Sequence, residues 1–69
     1  MKSKLSSNIF MLRKELGISQ QQLAKEIGVT QKAIDFWEKD INEPKASYIV
    51  KIALFFKVST DFLLGVEEY

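Results

Sequence analysis

Hydrophobic residues recur along the chain at spacings of three and four, which is the period of one face of a helix. Capping and turn-forming residues interrupt the pattern, so we predict five helices. With their caps included, they cover residues 5–16, 19–28, 30–39, 46–56 and 60–64. No segment shows a convincing strand pattern, and the chain has no internal repeat. The fold class is therefore expected to be all-α.

Individual residues explain where the first two helices begin and end. Ser6 or Ser7 can cap the first helix, and Gly17 can take the left-handed conformation that ends it. The second helix opens with the spacing of a capping box, in which Ser19 and Gln22 each satisfy an otherwise unpaired backbone N–H. These signals support the boundaries that the hydrophobic pattern predicts.

The helix faces that turn inward define a predicted core. Its members are Leu5, Ile9, Leu12, Leu16, Leu23, Ala24, Ile27, Val29, Ile34, Trp37, Ile41, Ile49, Ile52, Ala53 and Phe56. Pro44 cannot lie inside a helix, so residues 40–45 are expected to form a loop. The 69 residues are too few for a second core, and we predict a single domain. A flexible arm over residues 1–5 and a frayed tail over residues 66–69 complete it.

The composition excludes several kinds of chemistry. The chain has no cysteine and no histidine, which rules out thiolate–imidazole zinc sites, disulfides, and Cys–His or Ser–His catalysis. So small a domain can scarcely enclose a pocket with convergent polar groups, so we predict no enzyme activity and no cofactor. No apolar run reaches the roughly 18 residues needed to cross a membrane, and a cytoplasmic location is expected. The net charge is only +1, so any nucleic-acid binding must depend on where the charges lie.

The most informative stretch is residues 20–39, QQQLAKEIGVTQKAIDFWEK. It predicts two short helices joined by a turn, a helix-turn-helix. Ala24 is small where the two helices must cross closely, and Gly28 can adopt the positive φ of a tight turn. This arrangement projects the polar outer face of the third helix away from the body of the domain.

Taken with its surroundings, this stretch resembles the phage-repressor/Cro group of helix-turn-helix regulators, the XRE family. The resemblance covers about residues 8–65 and is carried by IFMLRKELGISQQQLAKEIGVT, then IDFWEK, then Pro44, then IALFFKVSTDFLLG. It implies a compact five-helix, lambda-repressor-like domain whose third helix enters the major groove of DNA. It also implies a bacterial or phage-encoded transcriptional regulator, a repressor rather than an activator, that binds a palindromic operator as a homodimer.

The resemblance places Gln31, Lys32 and Phe36 at the positions that read bases. The chemistry is coherent, because glutamine pairs with adenine, lysine donates to guanine, and an exposed phenylalanine packs on a thymine methyl. Asp35 is a further candidate, since an acid can accept from cytosine N4, although it repels a nearby phosphate. The alternative for Gln31 and Lys32 is a solvated helix face. For Phe36 the alternative is a peripheral core or dimer contact.

Other residues are candidates for contact with the DNA backbone. Gln20 and Thr30 match family positions that meet phosphate or base edges. Lys39, Asn42 and Lys45 lie in or beside the loop after the third helix, where family members meet phosphate. Such contacts position a domain on DNA without specifying the sequence.

Three further interpretations concern the N-terminal arm, an ion pair between two helices, and the residue after the third helix. Lys2 and Lys4 are expected either to reach the DNA from the arm or to be simply solvated. The resemblance implies a structural ion pair between Arg13 and Glu38, linking the first and third helices. Asp40 replaces a glycine common in the family, and it is expected to adopt a left-handed conformation there with some strain.

The fourth helix is apolar nearly all round, which is typical of a helix buried on more than one side. We predict a surface for a second copy or a regulatory protein partner, formed by Tyr48, Val50, Leu54, Phe55, Phe62, Val66 and Tyr69. The alternative is that these are scattered exposed apolar residues, which are common. If this surface is the main one, the protein is an interaction module built on a helix-turn-helix scaffold.

Overall fold

A computed structural model describes residues 3–66, and they form five helices and no strand. The helices are α1 (Lys4–Leu16), α2 (Gln20–Ile27), α3 (Gln31–Glu38), α4 (Ala46–Phe56) and α5 (Thr60–Leu64). α2 packs across α3, α1 lies against α3 and α5, and α4 lies against α2 and α5. The all-α prediction and the five predicted segments are confirmed.

The start of α1 differs from the prediction. Ser3 caps the helix, with its hydroxyl accepting from the backbone N–H of Ser6 at 3.1 Å. Ser6 itself is buried, and its hydroxyl donates to the backbone carbonyl of Glu38 at 2.6 Å. The predicted cap at Ser6 or Ser7 was wrong, because one more turn forms ahead of it and buries Leu5 in the core. The predicted arm thus loses Lys4 and Leu5 to α1, while residues 1 and 2 lie outside the described part of the chain.

The start of α2 and the turn between α2 and α3 contain the capping and turn residues that the sequence predicts. The Ser19 hydroxyl accepts from the Gln22 N–H at 3.0 Å, and the Gln22 side chain accepts from the Ser19 N–H at 2.7 Å. Gly28 ends α2 at a φ of 85°, and the Thr30 hydroxyl caps α3 by accepting from the Ala33 N–H. A capping box, a left-handed glycine and a threonine cap therefore define the two helices and the short turn between them.

A cluster of ten buried hydrophobic residues from all five helices forms the core. It consists of Leu5, Ile9, Leu23, Ala24, Ile27, Ile34, Trp37, Ile52, Ala53 and Leu63. Two predicted core residues, Leu16 and Ile41, are instead exposed. Leu16 is the last residue of α1, and Ile41 lies beyond the end of α3, where the chain has turned and leaves its side chain 58% exposed.

α5 has only five residues, and α1 holds it in place. The Asn8 amide donates to the backbone carbonyls of Phe62 and Leu63 at 3.0 and 3.1 Å. The last carbonyls of a helix lack the usual partners within it. The Phe62 carbonyl also accepts from the Gly65 N–H, and Asn8 adds a donor to both carbonyls from outside α5. Gly65 then ends α5 in a left-handed conformation directly against the Lys4 side chain.

Asp40 adopts the left-handed conformation expected of it, with a φ of 61°. Its carboxylate accepts from the backbone N–H of Ser3 at 2.9 Å and from the Ser3 hydroxyl at 3.1 Å. These bonds offset part of the cost of that conformation and connect the chain after α3 to the start of α1.

Arg13 and Glu38 form the predicted ion pair between α1 and α3. Arg13 Nε lies 2.6 Å from Glu38 Oε2 and Arg13 Nη2 lies 3.0 Å from Oε1, while Nη1 donates to the backbone carbonyl of Ile18. The two side chains are only 9% and 4% exposed. The hydrogen bonds to Glu38 raise the pKa of Arg13 above its usual value, so the guanidinium remains charged.

We expect Arg13→Met to destabilise the fold by about 3–5 kcal/mol, because it leaves the Glu38 carboxylate buried without its cation. Urea unfolding followed by circular dichroism measures the loss. The double variant Arg13→Met/Glu38→Leu is the control, since it removes both charges and should recover most of the stability. A loss below about 1 kcal/mol in the single variant would contradict the structural role of the pair.

Gly65→Ala should destabilise the domain more than Gly17→Ala. Both glycines have a positive φ, so both variants carry a backbone cost of about 1–2 kcal/mol. A Cβ at Gly17 meets open space, whereas one at Gly65 would lie 2.5 Å from the Lys4 Cβ. The overlap should add about 1 kcal/mol or more to the loss in urea unfolding. Equal losses of stability in the two variants would contradict the prediction, since they would mean that α5 can shift away from α1 at no cost.

Candidate nucleic-acid interface

α3 presents one apolar face to the core and one polar face to solvent. Ile34 and Trp37 are buried, as predicted, whereas Gln31 and Lys32 are exposed and Phe36 is half-buried. The exposed residues lie on the first turn of α3, directly after its Thr30 cap. The outer face of α3 therefore presents an amide, an ammonium group and an aromatic ring to a binding partner.

Lys32 and Phe36 are one helical turn apart and interact with each other. The Lys32 Nζ lies 5.5 Å from the centre of the Phe36 ring, within the range of a cation–π contact. The ring is thus an apolar surface beside a hydrogen-bond donor. The structure brings these two predicted base-reading residues together.

Asp35 binds two other candidate residues. Its Oδ2 lies 3.0 Å from the Lys39 Nζ, and its Oδ1 accepts from the Gln20 Nε2 at 3.2 Å. The hydrogen bond from Lys39, followed by the one from Gln20, lowers the pKa of the Asp35 carboxyl. Asp35 therefore carries its negative charge at neutral pH.

The Gln20 amide also donates to Glu38 Oε1 at 3.0 Å, so it bridges two carboxylates of α3. Glu38 is the partner of Arg13, and a continuous polar network thus runs from α1 through α2 to the outer face of α3. The first residue of α2 is fixed against α3 by this network.

The sequence analysis missed these internal contacts of Gln20 and Asp35. The spacing of Asp35 and Lys39, four residues apart on one helix, is a signal for an ion pair that could have been used. Gln20 and Asp35 are fifteen residues apart and belong to different helices, and no local pattern connects them.

The remaining candidates for backbone contact are exposed around this network. Thr30, Lys39, Asn42 and Lys45 are all exposed, the last two in the loop between α3 and α4 and at the cap position of α4. Lys4 is also exposed, and part of its aliphatic chain lies against Gly65 at the end of α5. Lys2 lies outside the described residues.

The predicted partner surface is less exposed than the sequence indicates. Val50, Leu54 and Val66 are open to solvent, at 47%, 73% and 75%. Tyr48, however, packs on Trp37 with ring centres 5.7 Å apart, and Phe55 packs on Phe56 at 5.0 Å.

The other two predicted members of that surface lie toward the end of the chain. Phe62 is half-buried, and Tyr69 lies outside the described residues. Three exposed aliphatic side chains thus remain as the most accessible part of the predicted surface.

A shallow, open depression lies in the surface between α2 and α3. Its lining contains three glutamines, one lysine and no carboxylate, from Gln21, Gln22, Ala24, Lys25, Val29 and Gln31. Within residues 3–66, no group of acidic side chains is arranged to hold a metal ion. No helix in the same range is long and apolar enough to span a membrane.

Known helix-turn-helix regulators are similar to this chain in sequence and in fold. The chain is similar to the HTH-type transcriptional regulator ImmR of Bacillus subtilis, with 29% identity over 81% of this chain and 44% of that protein. It is 32% identical to the uncharacterized HTH-type transcriptional regulator YqaE of the same organism, over 91% of this chain and 54% of that protein. The chain thus spans about half the length of the curated relatives it matches.

A solved structure of the P22 c2 repressor in complex with a synthetic operator superimposes with a TM-score of 0.85. The two chains are 32% identical, and the similarity covers 91% of this chain and 96% of the repressor chain. The family model described as Helix-turn-helix matches residues 9–63, from the middle of α1 to α5. The chain therefore belongs to the helix-turn-helix family.

Proposed function

We propose that this protein binds double-stranded DNA sequence-specifically and represses transcription. The observation that carries the proposal is the outer face of α3, where Gln31 and Lys32 are exposed on a helix that the Arg13–Glu38 pair connects to α1. The similarity to the P22 c2 repressor, solved with a synthetic operator, supports the same conclusion. A regulator of this kind works beside the chromosome, in the cytoplasm of a bacterium.

In the proposed complex, α3 lies in the major groove with its first turn at the base edges. The Gln31 amide pairs with adenine, the Lys32 ammonium donates to guanine, and the Phe36 ring packs on a thymine methyl. Thr30, Lys39, Asn42 and Lys45 contact the phosphates on either side. Gln20, at the start of α2, lies where a helix N-terminus can meet the backbone.

We further propose that two copies bind a palindromic operator. Two-fold symmetry of a protein dimer matches half-sites spaced about one helical turn apart. Val50, Leu54 and Val66 supply an exposed apolar surface on α4 and after α5 for the second copy. Pairing compensates for the weak electrostatic attraction that a net charge of +1 allows.

A second candidate function is that of a module that binds a regulatory protein. The exposed Leu54, 73% open to solvent, favours it, since an apolar side chain of this size at the surface suits a protein contact. The low net charge agrees with this alternative. DNA binding and association can be separated by substitutions on different helices.

Gln31→Ala and Lys32→Ala should each weaken binding to a duplex that the wild-type protein selects from a random-sequence library. The loss should be about fivefold or more in each case, because a good base contact is worth about 1–3 kcal/mol. Fluorescence anisotropy at several salt concentrations measures it. Lys14→Ala, which removes an exposed charge from α1, is the matched control and should change affinity less than twofold.

Two results would contradict DNA reading by α3. One is a library selection that enriches no duplex. The other is equal affinity of the wild-type protein and both α3 variants for the selected duplex.

Leu54→Glu should abolish self-association, because it places a charge in the apolar surface of α4. Sedimentation equilibrium between about 10 and 500 μM, with and without the selected duplex, measures the oligomeric state. Leu16→Glu is the control, since Leu16 is also an exposed leucine but lies at the end of α1. A wild-type protein that stays monomeric throughout would exclude the homodimer and favour the partner-binding alternative.

A further inference from the structure

Asp35 lies where a negative charge opposes the proposed function. It is on the helix proposed to face DNA, and its carboxylate binds the Lys39 ammonium at 3.0 Å and the Gln20 amide at 3.2 Å. Both partners are candidates for contact with phosphate. In the free protein, one carboxylate therefore occupies the hydrogen-bonding groups that the DNA backbone needs.

We propose that Asp35 is a specificity-determining residue that competes with DNA phosphates for Lys39 and so suppresses binding to non-specific DNA. This inference rests on the proposed DNA binding. It differs from a simple base contact, because Asp35 acts against every sequence that gives its carboxylate nothing in return.

The contact between Asp35 and Lys39 is weak enough for a phosphate to replace it. The Lys39 side chain is 61% exposed, and an exposed pair four residues apart on a helix is weak. A phosphate can therefore displace Asp35 from Lys39. The carboxylate then remains charged beside the phosphate path, and the repulsion persists unless another donor reaches it.

The base edges of the major groove supply one suitable donor. The N4 amino group of cytosine is the donor that pairs with acidic side chains, whereas the edges of guanine and thymine offer acceptors. Adenine also carries an amino group, but its N7 acceptor lies beside that group and repels a carboxylate. A half-site with a cytosine opposite Asp35 replaces the bond lost from Lys39. DNA without that cytosine gives the carboxylate an acceptor edge or, at adenine, a donor flanked by an acceptor, so the bond lost from Lys39 is not fully replaced.

The contact between Gln20 and α3 does not depend on Asp35 alone. Its amide also donates to Glu38, so loss of the Asp35 charge leaves Gln20 anchored to α3. Asp35 is itself only partly buried and takes no part in the Arg13–Glu38 pair. Substitution at Asp35 should therefore change binding without unfolding the domain, and thermal unfolding verifies this.

The test compares Asp35→Asn with Glu15→Gln on two duplexes, the selected duplex and alternating poly(dA-dT), which contains no cytosine. Glu15 is an exposed carboxylate beside Leu12, Leu16 and Phe56, so its substitution makes the same change in net charge elsewhere. We expect Asp35→Asn to bind poly(dA-dT) about three- to tenfold more tightly than wild type. Its salt dependence should steepen by up to about one phosphate contact, and Glu15→Gln should change affinity less than twofold.

On the selected duplex, Asp35→Asn should bind no more tightly than wild type, so the ratio of specific to non-specific affinity falls. On poly(dA-dT), Asp35→Asn should gain less affinity in the Lys39→Gln background than in the wild-type background, because freeing Lys39 contributes only where Lys39 is present. These results together support the proposal.

Other outcomes overturn it. Equal effects of Asp35→Asn and Glu15→Gln on poly(dA-dT), or equal gains on both duplexes, would exclude Asp35 as a specificity determinant while leaving DNA binding intact. An equally large gain in the Lys39→Gln background would exclude competition for Lys39. A wild-type protein that binds neither duplex would overturn the proposed function together with this inference.

Discussion

The buried pair between Arg13 and Glu38 is the contact on which the orientation of the helices depends. Glu38 is a junction of three helices, because its carboxylate accepts from Arg13 of α1 and Gln20 of α2 while its backbone carbonyl accepts from Ser6. Burying two charges is expensive, and such a pair contributes little net stability compared with apolar residues of the same size. The pair also adds geometric specificity, since its two parallel hydrogen bonds restrict how α1 and α3 can lie relative to each other.

Much of the fold could be predicted because its determinants are local. The Ser19–Gln22 capping box, the left-handed Gly28 and the Thr30 cap each depend on residues within one turn, and the structure contains all three. The errors arose where local signals compete. Ser3, Ser6 and Ser7 are all good caps by composition, and only the packing of Leu5 decides among them.

Only part of the candidate site could be predicted from the sequence. Periodicity assigned the exposed turn of α3, since burial of Ile34 and Trp37 dictates which side faces out. It overestimated the apolar surface of α4, because an aromatic side chain is large enough to pack against a neighbouring helix. Tyr48 thus covers Trp37 instead of facing solvent. The Gln20–Asp35 contact joins two helices and depends on their crossing geometry, which no residue pattern encodes.

The seating of α5 on α1 has a topological consequence. Lys4 touches Gly65, and Asn8 caps the end of α5, so the first and last described helices meet at one place on the surface. Adjacent ends are the usual condition for circular permutation and for insertion of a domain into another protein. A short linker between them would leave the contacts of the core intact. The fold of residues 3–66 therefore places the beginning and the end of the five-helix unit side by side.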